Sequence, residues 1–179
     1  AILISRSGTG GSGARVARAP DVDREFVLLF KVFDEATSWY IDRNIQNLTN
    51  GVDAIKARCQ AEESDGATDT LPYCPGFEEC LFRHSINGHM YANIPGLVAK
   101  VGERVRWYVL DLGTEFDMHG AIWNGGTVTL DGARRDQVAL MPAGMWTATM
   151  VPDSTGTWLL KCQVTDHFVA GMVATYSIQ

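Results

Sequence analysis

From residue 82 to the last residue the sequence repeats one arrangement, short apolar runs cut off by Gly, Pro or Asn. The runs are "FRHSIN", "LVAKVGERVRWYVLDL", "FDMHGAIW", "TVTL", "RDQVALMPAGMWTATMV", "GTWLLKCQV" and "GMVATYSIQ". Strand-length segments between turn residues at this spacing predict an all-β sandwich or barrel. "RVRWYVLDL" carries the period of two that a half-buried strand needs, with Val105, Trp107 and Val109 alternating against Arg104, Arg106 and Tyr108. "DGARRD" reads as a charged turn, and Trp39, Trp107, Trp123, Trp146 and Trp158 read as core residues.

The upstream part is less regular. "EFVLLFKVF" from Glu25 predicts a buried strand, and "DEATSWYIDRNIQN" a short helix capped by Asp34, in which Trp39, Ile41 and Ile45 do not make a clean stripe. "VDAIKARCQAEE" predicts a further helical turn or two, and "SDGATDTLPYCPGFEEC" a polar surface loop. "AILIS" followed by the Gly/Ser/Arg-rich "RSGTGGSGARVARAP" is expected to be the closing strand of a preceding domain and a flexible connector. Residues 1–20 would then precede one domain over residues 21–179, in a chain that is a piece of something longer.

A length of 179 residues with 46% hydrophobic content supplies ample core for that domain. Fifteen basic against twenty-one acidic side chains give a formal charge of −6, which argues against nucleic acid as a partner and is compatible with attraction of cations. No apolar run reaches the roughly 18–20 residues that a membrane-spanning helix needs, and no secretory leader pattern is present. Asn47-Leu48-Thr49 matches a glycosylation acceptor, as suits a secreted glycoprotein.

The chemistry concentrates near the end of the chain. "KCQVTDHFVAGM" sets Cys162, His167 and Met172 at five-residue intervals, with Asp166 against His167. "EFDMHGAIWNG" puts His119 just after a strand start, where a sandwich can bring it beside that loop. Two imidazoles, a thiolate and a weak axial thioether are the ligand set of a blue-copper electron-transfer site, because the soft sulfurs stabilise Cu(I) while the imidazoles suit both oxidation states. Zinc takes thiolate and imidazole too, but rarely a thioether. The bland alternative is that the Met is core packing and the histidines are ordinary hydrogen-bonded residues. With Cys162 as a ligand, Cys59, Cys74 and Cys80 remain, and two of them could pair in an oxidising compartment.

Over residues 22–179 the sequence resembles the multicopper ferroxidases, the ceruloplasmin and hephaestin family, and among their parts the even-numbered cupredoxin domains that hold a mononuclear copper. The resemblance rests on "EFVLLFKVFDEATSWYIDRNI", "HSINGHMYANIPGL", "GERVRWYVLDLGTEFDMHG", "RRDQVALMPA" and "CQVTDHFVAGM". The clotting-factor A domains share the scaffold. The resemblance implies a Greek-key cupredoxin sandwich with short helices in the connecting loops, an extracellular or cell-surface setting, and partner cupredoxin domains in the same or an associated polypeptide. It puts type 1 copper on His119, Cys162, His167 and Met172.

The same resemblance implies what the chain lacks. Ile122, Asn124, Lys161 and Gln163 stand where such enzymes place histidines of the oxygen-reducing trinuclear cluster. An alkyl group, amides and an amine cannot build it, so this domain by itself would pass single electrons without reducing dioxygen. Glu79 and His84 in "EECLFRHSING" match the family's iron ligands, and Glu115 matches one that reaches the iron site of a neighbouring domain. Asp166 joins them because one peptide unit, about 3.8 Å between Cα atoms, separates it from His167. Carboxylate oxygens favour Fe(III) over Fe(II) and so make the bound ion a better reductant.

The expected function is to accept an electron from Fe(II) at the type 1 copper and pass it to a trinuclear cluster on other domains. The alternatives are a structural or interaction module like the clotting-factor domains, or copper storage and transport. In those cases Glu79 is a solvated loop carboxylate, His84 a strand histidine with an ordinary hydrogen bond, and Asp166 a brace for its loop. His89 reads as a turn or surface histidine.

Overall fold

The computed structural model describes residues 19–48, 81–113 and 118–179. The expected leading strand and nearly all of the connector, the turns in "VDAIKARCQAEE", the polar loop after them, and Cys59, Cys74, Glu79, Cys80 and Glu115 lie outside those residues. The chain divides into two compact units, Ala1–Lys31 with Ser85–Gln179, and Val32–His84.

The first unit is the predicted β-sandwich. In chain order its strands are β1 (Arg24–Asp34, which runs on into the second unit), β2 (Phe82–Ile86, which enters from it), β3 (Val98–Ala99), β4 (Val105–Asp111), β5 (His119–Trp123), β6 (Val128–Leu130), β7 (Ala133–Arg135), β8 (Gln137–Leu140), β9 (Met145–Met150), β10 (Gly156–Cys162) and β11 (Val173–Ile178). One sheet has six strands in the order β2-β1-β4-β9-β6-β7, and the other five in the order β3-β11-β10-β5-β8. β1 runs parallel to β4 from Arg24 opposite Val105 to Phe30 opposite Asp111, and β10 is antiparallel to both β11 and β5. This is the expected Greek-key sandwich: from β3 to β6 and again from β7 to β10, consecutive strands alternate between the two sheets.

The period of two in β4 survives intact. Val105, Trp107 and Val109 are buried while Arg106 and Tyr108 face outward, where Arg106 pairs with Asp21 at 2.6 Å and the Tyr108 hydroxyl donates to Glu25 at 2.7 Å. Between the sheets, the Trp107 ring meets Trp123 edge-on at 5.9 Å and Tyr176 at 5.6 Å. These three rings join the two layers, and burying side chains of this size stabilises the fold by about 1.5–3 kcal/mol each.

Two long predicted strands are each broken in two by a change of sheet. "LVAKVGERVRWYVLDL" breaks at Gly102, whose φ of +79° suits a residue without Cβ; β3 goes to the five-stranded sheet and β4 to the six-stranded one. "RDQVALMPAGMWTATMV" breaks after Met141, where the Gly144 N–H donates back to the Met141 carbonyl at 2.7 Å. There β8 and β9 part into different sheets. Packed sheets lie about 10 Å apart, so a chain that crosses between them has to leave the ladder.

Other expectations need correction. "DGARRD" is not a turn throughout. Asp131 and Gly132, at φ of 50° and 79°, make a two-residue hairpin turn of the kind that matches strand twist, and Ala133–Arg135 is the exposed edge strand β7. Of the tryptophans, Trp107 and Trp123 are core, Trp158 is half-buried, and Trp39 and Trp146 are 97% and 39% exposed. Asp34 caps a separate 3-10 turn, Glu35–Thr37, accepting the Ala36 N–H at 2.9 Å. The helix α1 (Ile41–Leu48) begins only after it and buries Ile45.

Candidate metal centre

His119 is the first residue of β5 and Cys162 the last of β10. Because β5 and β10 are antiparallel with Cys162 opposite Ala121, the start of one strand lies beside the end of the other. The chain between β10 and β11, expected as a loop, contains a short helix α2 (Thr165–Val169) that carries His167 back toward Cys162. Gly171 then turns the chain at φ +116°, where a Cβ would meet Met90 and Tyr91 at 3.1 Å. Met172 follows, fully buried.

The backbone holds this segment closed. Met172 N–H donates to the His167 carbonyl at 2.9 Å, and Cys162 N–H donates to the Met172 carbonyl at 3.0 Å. Gln163 N–H donates to the Gly120 carbonyl at 2.8 Å, and a Cβ on Gly120 would come within 2.8 Å of the Gln163 Cβ. Residue 120 therefore has to be small for the two strand ends to approach.

Three donor atoms converge there. Cys162 Sγ lies 3.8 Å from His119 Nδ1 and 3.8 Å from His167 Nδ1, and the two Nδ1 atoms are 3.0 Å apart. Metal bonds of about 2.0 Å to nitrogen and 2.3 Å to sulfur, set at roughly trigonal angles, would separate N from S by about 3.8 Å. The two N–S distances meet that spacing, and the N–N distance of 3.0 Å corresponds to an N–metal–N angle of about 97° at the same bond lengths. Among the described residues, these three form the cluster of His, Cys, Asp or Glu groups that could hold a metal. His119 and Cys162 are buried and His167 is half-buried.

Burial pushes the Cys162 thiol above its ordinary value, and the charge of Asp111 adds to the effect, while the backbone amides of Gly120, Val164 and Gln163 oppose it. A metal ion has to displace that proton, since the thiolate is the ligand form.

The remaining candidates are scattered. Asp166 is exposed on α2, one residue before His167. His84 is buried on β2. Asn47 is exposed in the last turn of α1, and His89 is exposed beside a tight turn, its N–H bonded to Ile86. Ile122 and Lys161 face each other across β5 and β10, and the Lys161 ammonium sits 4.3 Å from the centre of the Phe168 ring.

The sequence reading overlooked one residue of this site. Asp111 ends β4 on the inward phase of Val105, Trp107 and Val109, with no exposure at all, and its Oδ1 is 3.9 Å from His119 Nε2. An acid at an inward position of an alternating strand was the available signal.

Residues 69–179 match the multicopper oxidase family. Mouse ferroxidase HEPHL1 is 35% identical over 158 residues, which is 88% of this chain and 12% of that protein. Human hephaestin is 35% identical over 177 residues, 99% of this chain and 14% of that one. Human ceruloplasmin is 37% identical over 161 residues, 90% and 14% of the two chains. The chain therefore spans 12–14% of the length of these relatives. Among solved structures, a multicopper oxidase superposes with a TM-score of 0.56 at 13% identity, covering 89% of this chain and 45% of that one. The Campylobacter jejuni multicopper oxidase, a metallo-oxidase, gives 0.55 at 14% identity over 92% and 31%. At such identities the structural likeness speaks for the fold.

Proposed function

Since the chain belongs to the multicopper oxidase family, we propose that residues 21–179 form an electron-transfer domain holding one type 1 copper, in an extracellular ferroxidase that oxidises Fe(II). The observation that carries this reading is the convergence of His119 Nδ1, His167 Nδ1 and Cys162 Sγ at 3.0–3.8 Å. His119, Cys162 and His167 would hold the ion, with Met172 as the weak axial ligand. Copper in such a site supplies one-electron redox chemistry.

The chain's own contribution is to fix the ligands and keep water away. The backbone bonds among Cys162, His167 and Met172 hold the segment in place without help from an ion, so little rearrangement is needed between oxidation states. Burial of His119, Cys162 and Met172 excludes bulk solvent. The exposed edge of His167 is the route by which an electron would reach the site from outside.

Fe(II), as substrate, would meet Asp166 at that edge; Glu79 and His84 are proposed as iron ligands on the resemblance to the ferroxidases alone, and Glu115 as one that serves a neighbouring domain. The exposure of Asp166 one peptide unit from His167 supports its role. Lys161, Gln163, Ile122 and Asn124 provide no trinuclear cluster, so electrons would leave for other cupredoxin domains. An exposed Asn47 suits glycosylation of a secreted protein.

The test is titration of the purified chain with copper(II). An intense visible thiolate-to-copper band that Cys162→Ser removes, and that Fe(II) bleaches, is expected. Asp166→Ala should keep the band and slow the bleaching. A colourless loaded chain would overturn the copper reading and favour a scaffold; unchanged bleaching in the variant would remove Asp166 from the iron site.

A further inference from the structure

A buried acid lies behind the candidate copper ligands, on the side away from the sulfur. The side chains of Asp111 and His119 are both wholly shielded from solvent, with Oδ1 3.9 Å from Nε2. The carboxylate is fixed in place: Oδ1 accepts the Gly113 N–H at 2.6 Å, and the Asp111 N–H donates to the Gly144 carbonyl at 3.0 Å. Gly113 is itself pinned, because at φ +60° any Cβ would lie 2.5 Å from the Pro142 Cβ, and Lys31 Nζ donates to its carbonyl at 2.7 Å. A charge-bearing group without water is costly unless its surroundings answer it, and the inward phase of β4 otherwise carries apolar side chains. The position calls for a role that Val or Leu could not fill.

We propose that Asp111 is a positioning residue: its carboxylate holds His119 in the tautomer with the proton on Nε2, keeps Nδ1 unprotonated as the ligand atom, and biases the site toward the more oxidised ion. A neutral imidazole carries one N–H and one lone pair. Placing the N–H toward Asp111 is attractive, whereas a lone pair on Nε2 would face negative oxygen. The partner that fixes the second nitrogen of a ligating histidine sets which nitrogen binds. The contact between His119 Nδ1 and His167 Nδ1 at 3.0 Å then has a definite polarity in the metal-free protein, with His167 donating and His119 accepting. The tautomer needs no metal, while the bias in potential rests on the copper reading above.

Two measurements on the full chain test this. Proton–nitrogen correlation spectra of the metal-free protein should show His119 protonated at Nε2, and Asp111→Asn should turn that into a mixture of tautomers. In the copper-loaded chain, Asp111→Asn should shift the reduction equilibrium at least tenfold toward Cu(I), about 59 mV for a one-electron couple. His119 protonated at Nδ1 in the unsubstituted protein would overturn the proposal, as would a shift below twofold in the variant. If Asp111→Asn does not fold, the tautomer of the unsubstituted chain decides. A chain that binds no copper refutes the copper reading and leaves the tautomer result to stand or fall separately.

Discussion

The carbonyl oxygen of Met172 accepts the backbone N–H of Cys162 at 3.0 Å. The residue proposed for the copper axis and the residue proposed to supply the thiolate are thus tied through the main chain, ten positions apart in sequence, before any ion is considered. Side-chain changes at Met172 should leave the trio of His119, Cys162 and His167 in place.

Substitution at Met172 separates packing from ligation. Met172→Leu, which conserves volume, should cost less than about 1.5 kcal/mol, and Met172→Ala about 2–5 kcal/mol, because the site is fully buried. Both variants should keep a visible thiolate-to-copper band. Urea unfolding of the metal-free chain and absorption of the loaded chain read the two effects, and loss of the band in Met172→Leu would show that the trio is insufficient.

Copper affinity should rise with pH. Burial holds the Cys162 thiol above its ordinary value, so at neutral pH a proton has to leave before sulfur can ligate. Apparent affinity should therefore gain about tenfold per pH unit from this group alone, up to the thiol's own pKa. Competition against a chelator of known proton dependence measures the slope, and a flat profile would contradict sulfur ligation.

The core should weaken in alkali through Tyr176. Burial pushes its phenol up to about 12, against about 10 in an unfolded chain. With the folded value raised, the stability is complete below pH 10 and is lost as pH climbs toward 12, by about 2–3 kcal/mol. Tyr176→Phe should remove that loss. At neutral pH the variant gives up the hydroxyl bond to the Asn124 carbonyl at 2.6 Å, costing about 0.5–1.5 kcal/mol. Denaturant midpoints at pH 8 and 11 compare the two chains.

Gly125→Ala should destabilise the sandwich by about 2–4 kcal/mol. Gly125 has φ +75°, and a Cβ there would lie 2.1 Å from the Trp158 ring, which covers it. Thermal unfolding should register the loss while the copper spectrum stays unchanged, since Gly125 lies beyond the end of β5 opposite to His119.

Much of this was legible in the order of residues. The alternation of Val105, Trp107 and Val109 announced a buried face, and it is buried. His119, Cys162 and His167 were identifiable because their types make one coordination chemistry, and they converge. The breaks after Ala99 and Met141 were not legible, because an apolar run carries the same pattern whether it stays in one sheet or crosses to the other. Trp146 shows the same limit. It pairs with Val109 in the ladder yet remains 39% exposed, since what covers a side chain at the end of a sandwich depends on the opposite layer.

The sequence by itself determined the apolar, strand-forming character of the chain after residue 82 and the chemical identity of the donor atoms, because these follow from local backbone preference and side-chain type. Tertiary structure alone decided that β5, β10 and α2 bring Nδ1, Nδ1 and Sγ within 3.0–3.8 Å, and that Asp111 stands behind His119. Those distances are set by strand register, sheet packing and the fold of the segment after β10, which bring His119 to Cys162 and His167 across more than forty residues, where no local preference acts.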